Sequence, residues 1–146
     1  MKEIEGAYIL SGSGGLIFSQ ENLDKDLKEF DKDYLSNLLS TIETIALKIG
    51  EGEVNVIEFG NIKFYHTKDK LTKIGFCLKC KKDVKKKKIF HTLTNLMNIF
   101  LEKFTGNFSS PDIVKKEKMD SFILAVSQIL GEGKKVEYFL DEIKIE

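Results

Sequence analysis

The stretch Ile4-Glu5-Gly6-Ala7-Tyr8-Ile9-Leu10-Ser11-Gly12-Ser13-Gly14-Gly15-Leu16-Ile17-Phe18-Ser19 limits the fold more than any other part of the chain. Two apolar runs flank a glycine- and serine-rich turn, and nothing with helical periodicity precedes them. Glycine tolerates the positive φ of tight turns, so the pattern predicts a β-hairpin over about 4–11 and 14–20. A glycine-rich turn also raises the question of phosphate binding. A P-loop needs Gly-Lys-Ser/Thr, and a dinucleotide fingerprint passes from a strand into a helix. Here the glycines join strand to strand, and the residues support a plain hairpin turn.

At 146 residues the chain is long enough for one domain that removes roughly 70% of its unfolded surface from water. A hydrophobic content of 42% with 11 Phe is too high for disorder. No apolar run approaches the roughly 20 residues of a membrane helix, and the N-terminus lacks a signal-peptide core. The expected location is therefore cytoplasmic, with a peripheral membrane contact left open. Cys77 and Cys80 are too few for a secreted disulfide framework, which agrees.

Basic and acidic residues number 23 each, so no net charge draws the chain to nucleic acid. Every basic residue is Lys; the sequence contains no Arg and no Trp. Arg supplies bidentate phosphate contacts, base readout and arginine fingers, so all three roles lose support.

Beyond the hairpin, Glu21 to Lys32 forms a charged connector in which Leu23, Leu27 and Phe30 stand at helical spacing. Asp31 or Asp33 then offers an N-cap for a helix ending near Ile49 and Gly50, with Leu35, Leu38, Leu39, Ile42, Ala46 and Ile49 as its apolar stripe. Strands are predicted over 53–59 and 62–67 around a Gly60-Asn61 turn, and over 71–80. Ala7 to Leu10 and Ile74 to Leu78 are apolar at successive positions, as in strands covered on both faces. A helix follows from about Val84 to Phe104, with Asp83 as its N-cap, and another from about Pro111 to Leu130. Residues 131–146 form a C-terminal extension to a core spanning about 4–130, with a short element expected through Val136, Phe139, Leu140 and Ile143.

The predicted fold class is α/β of the α+β kind. It has a five-stranded, mainly antiparallel sheet in the order ββ-α-βββ-α-α, with one helix on one face and two on the other. With Ser11 to Ser19, Leu35 to Ile42 and Ile57-Glu58-Phe59-Gly60-Asn61-Ile62 in this order, the chain resembles the longin domain, also called SNARE-like or profilin-like, over nearly its whole length. The related roadblock fold carries a helix before its first strand, for which this sequence has no room. The resemblance implies a non-enzymatic platform that forms homodimers, or heterodimers with a related longin or roadblock domain. It further implies binding or regulation of a small GTPase in membrane traffic or signalling. It places strands 2 and 3 at the sheet edges, with strand 3, Val54 to Phe59, as the pairing edge.

The residues add their own argument for an interface. Ser36, Asn37, Ser40, Thr41 and Thr44 line the polar side of the first helix, whose only charges within 34–49 are Glu43 and Lys48. Solvated helix faces ordinarily carry Lys and Glu, and a small uncharged face suits close packing against protein. The alternative is a solvated face without a role. Val54 and Val56 belong to a weakly defended strand edge.

The run Lys81, Lys82, Asp83, Val84, Lys85, Lys86, Lys87, Lys88 is the strongest charge feature. It is a solvated connection, or a patch for an acidic partner or an anionic lipid surface; no aromatic residues interleave as in nucleic-acid sites. Cys77 and Cys80 have C-x-x-C spacing but fall on a strand, where residues three apart point to opposite faces. His66 and His91 would have to complete a zinc set, and neither is paired with a visible nucleophile. No metal, cofactor or catalytic residue is assigned. Two further readings stand beside the adaptor: a PAS- or GAF-like ligand sensor, which needs a roomy pocket with convergent polar groups, and a small enzyme, which needs an acid–base pair in a cleft.

Overall fold

A computed structural model describes residues 4–13, 15–22, 44, 54–59, 62–106, 111–131 and 135–143. Among the described residues, six strands form one antiparallel sheet: β1 Ile4–Leu10, β2 Leu16–Glu21, β3 Val54–Phe59, β4 Ile62–Lys68, β5 Gly75–Lys81 and β6 Lys135–Tyr138. Their spatial order is β3-β4-β5-β1-β2-β6. Two helices, α1 Lys86–Phe104 and α2 Asp112–Leu130, and a 3-10 turn at Leu140–Glu142 complete the described elements. The molecule is thus α+β with an antiparallel sheet. The sequence reading of five strands is corrected to six.

The opening hairpin forms as its residues dictate. β1 pairs with β2, with a register shift between Ile9 and Leu10, and the turn is closed by Ser11 N–H donating to Gly15 O at 2.7 Å. β1 then lies in the middle of the sheet, pairing on its other side with β5. That position explains why Ala7 to Leu10 are all buried. The fifth strand starts at Gly75 rather than Leu71. Asp69 accepts hydrogen bonds from Thr72 N–H at 2.9 Å and Thr72 Oγ1 at 2.8 Å, and Lys73 takes φ 64°. Such side-chain-to-backbone bonding competes with the sheet ladder and holds residues 69–74 as a turn.

α1 and α2 cover one face of the sheet. α1 buries Ile89, Thr92, Leu93, Leu96, Phe100 and Phe104, and α2 buries Lys115, Met119, Phe122, Val126 and Leu130. Phe100 is the meeting point, with ring centroids 5.7 Å from Phe76, 4.6 Å from Phe104 and 5.2 Å from Phe122. The pairs with Phe76 and Phe122 are edge-on, and such packing adds about 0.5–1.5 kcal/mol per pair to area burial. The N-cap of α1 is Lys85, without a side-chain cap bond, so Asp83 does not cap it as the sequence suggested. Pro111 is the N-cap of α2.

The opposite face carries a second buried cluster of Tyr8, Leu10, Phe64 and Cys77, with Leu16, Ile57 and Ile62 packed against it. The helix expected over this face falls outside the described residues except at Thr44, which is helical and exposed.

The C-terminal extension is built into the domain. β6 pairs with β2 from Phe18↔Tyr138 to Glu21↔Lys135, and Phe139 N–H donates to Ile17 O at 2.8 Å. Ile143 is fully buried, and Lys115 Nζ donates to its carbonyl at 2.9 Å. The expectation that strand 2 forms a sheet edge is therefore corrected: β6 covers it. Strand 3 does lie at the edge among the described strands.

Candidate functional site

β3 pairs only with β4 among the described strands, from Val54↔Thr67 to Phe59↔Ile62. Val54 and Val56 are half-buried and pack against the helix-covered core, while Ile57 leans on the opposite cluster. The strand therefore presents an apolar edge, and its one charge, Glu58, is exposed and sits 3.5 Å from Lys63 Nζ. Unpaired backbone groups along such an edge invite another strand. Of the polar helix face, only Thr44 is described and it is exposed; Ser36, Asn37, Ser40 and Thr41 lie outside the described residues. The structure thus describes the strand half of the anticipated interface together with one residue of the helix half.

Lys81, Lys82, Lys85, Lys86, Lys87 and Lys88 are all exposed. They extend from the end of β5, through a turn closed by Val84 N–H to Lys81 O, into the first turn of α1. Lys86 Nζ lies 5.5 Å from the centroid of the Phe90 ring. No acidic residue stands in that first helical turn.

The glycine-rich turn meets the chain's own carboxylate. Ser11 Oγ donates to Glu142 Oε2 at 3.4 Å, and Gly15 N–H donates to Ser11 Oγ at 3.0 Å. A Cβ at Gly15 would stand 2.3 Å from Glu142 Oε2, so glycine is what allows the close approach.

The two cysteines fall in different clusters, Cys77 with Tyr8 and Phe64, Cys80 with the helix-covered core. Burial, with Cys80 adding, pushes the Cys77 thiol far above its ordinary range, which leaves it unreactive. His91 is exposed near Asn95, at 3.4 Å. His66 is 1% exposed, and burial, with Lys68 adding, lowers its pKa from 6.5 to about 4. It is a neutral ring at pH 7.

A buried polar cluster escaped the sequence reading. Gly6 pairs with Glu21 on one side and with Lys79 on the other. The glycine's missing side chain opens a gap in the middle strand. Into it come the Glu21 carboxylate, the Lys79 ammonium 3.9 Å from Glu21 Oε2, and the Tyr8 hydroxyl, which donates to Glu21 Oε1. A Cβ on Gly6 would lie 2.8 Å from Tyr8 Oη and 3.2 Å from Glu21 Oε2. Lys79 is fully buried and Glu21 nearly so. The signal was a charge in each of two strands, Glu21 in β2 and Lys79 in β5, opposite a glycine in a third. Only the register makes those three positions one row.

Protein-family models and characterised proteins were compared with this sequence, and none matches it.

Proposed function

We propose that this domain is a longin-like adaptor that pairs through the edge of β3 and engages a small GTPase. The observation that carries the reading is the position of Val54–Phe59 at one end of the described sheet, with half-buried Val54, Val56 and Ile57 along it. Continuing a sheet across two copies satisfies the edge's backbone groups and buries those side chains at once. The exposed, helical Thr44 and the polar residues in sequence with it belong to the same proposed interface. The chain has no Arg and so cannot supply an arginine finger. Any effect on hydrolysis works by positioning the GTPase's own residues.

The ligand-sensor reading needs an open pocket among convergent polar groups. Where Gly6 opens space in the sheet, Tyr8 and Glu21 fill it, which favours the adaptor over the sensor.

Light scattering tests the pairing. Wild-type protein should weigh twice the 16.7 kDa of one chain. Val56→Lys, which brings a charge to a half-buried position of the edge strand, should weigh the same as one chain while keeping its circular dichroism. Immobilised protein should also retain purified small GTPases in one nucleotide state over the other. A wild-type monomer at every concentration, with no nucleotide-dependent retention, refutes the reading.

A further inference from the structure

The strongest feature outside the pairing edge is the lysine corner at the end of β5 and the start of α1. Six exposed lysines and one exposed acid, Asp83, occupy Lys81 to Lys88. Because the whole chain balances at 23 basic and 23 acidic residues, this corner carries five net positive charges and the remainder five net negative ones. The positive charge is thus concentrated in a pole of eight consecutive residues. The helix terminus strengthens that pole, since its free N–H groups carry partial positive charge and no acid in the first turn offsets them. Cations there are locally unfavourable for the helix, so intramolecular stability does not explain the run.

We propose that this corner docks on an anionic phospholipid bilayer. The chemistry of the patch favours a bilayer over an acidic peptide. A peptide partner needs an apolar anchor within a charged rim. Here Ile89 is buried, and Val84 and Phe90 are half-buried, so among the described residues no exposed apolar side chain stands within the lysine run. The cations are point charges with no guanidinium fork, which suits a diffuse layer of headgroups better than one fixed phosphate. The inference is independent of the β3 pairing, since none of these lysines lies on that strand.

Co-sedimentation with vesicles of phosphatidylcholine alone, or with about a third phosphatidylserine, tests it at about 0.1 M and about 0.5 M salt. Binding should appear only with phosphatidylserine and be lost at the higher salt. Each lysine near the surface contributes about fivefold, so Lys85→Gln should weaken binding about fivefold and Lys85→Gln/Lys86→Gln/Lys87→Gln about a hundredfold. Lys118→Gln, an exposed lysine on α2, should leave binding unchanged. Removing cations from a helix N-terminus does not weaken the helix, so an unchanged melting temperature excludes unfolding as the cause. Equal binding to neutral vesicles, no binding to phosphatidylserine, an unaffected triple variant, or tighter binding to polyglutamate than to vesicles would each overturn the proposal.

Discussion

His66 is held in the sheet as a neutral ring, 1% exposed, with neither ring nitrogen in a hydrogen bond among the described residues. A Cβ on Gly75 would stand 2.9 Å from His66 Nε2, so the glycine makes room for the imidazole. Its pKa falls from 6.5 to about 4. Above 6.5 the ring is neutral in both folded and unfolded chains. As pH falls toward 4, the unfolded chain takes up the proton first, and stability declines by up to about 3 kcal/mol. Urea midpoints measured from pH 7 to pH 4 should fall more steeply for the wild type than for His66→Gln; parallel curves would contradict this account. The Gly6 gap makes a second residue-level prediction. Gly6→Ala brings a methyl group to 2.8 Å from Tyr8 Oη and should destabilise by about 1–3 kcal/mol. In a double-mutant cycle with Tyr8→Phe, denaturant unfolding should show coupling of about 1 kcal/mol or more, because removing the hydroxyl relieves the same contact.

At the scale of elements, the most consequential is the shortest strand. β6 has four residues, yet it occupies the edge of β2 and leads the chain to Ile143, which is buried beneath the carbonyl bond from Lys115. Ile143→Ala should cost about 2–5 kcal/mol in thermal or denaturant unfolding, while Phe139→Ala, at a residue 45% exposed, should cost under about 1 kcal/mol. Equal effects at the two positions would mean that the tail is a loose appendage. The helical spacing of Ile89, Leu93, Leu96, Met97, Phe100 and Phe104 marks one face of α1, and all of these are buried except Met97, which is half-buried at its margin. The start of that helix does not follow the capping rule, because Lys85 rather than Asp83 stands at the N-cap. A helix packed along its length through Phe100 and Phe104 forms without a favourable first turn.

For the whole molecule, charge balance sets solution behaviour. With no net charge and an isoelectric point near 6.8, copies repel one another least close to neutral pH. Static light scattering should find self-attraction greatest near pH 6.8 and weakened by moderate salt, since opposite charges on different copies attract and are screened within about 10 Å. Association unchanged by pH and salt would instead point to apolar contacts alone.

The elements of this protein are written locally, and that is why so many were legible in the sequence. The apolar runs around the Ser11–Gly15 turn and the helical spacing of the apolar residues in both described helices depend on neighbours within a few residues. The apolar edge of Val54 and Val56 and the lysine corner were legible for the same reason. Other features depended on parts of the chain far apart in sequence. Nothing in Lys135–Tyr138 itself says that it will pair with β2 and cover an edge. Nothing near Glu21 announces Lys79, which meets it only because both align with Gly6 in the strand between them. Hydrophobic pattern and turn chemistry therefore determined the elements. Strand order and register, set by how the apolar faces of the sheet are covered, decided which strand ends the described sheet and which charges were buried together.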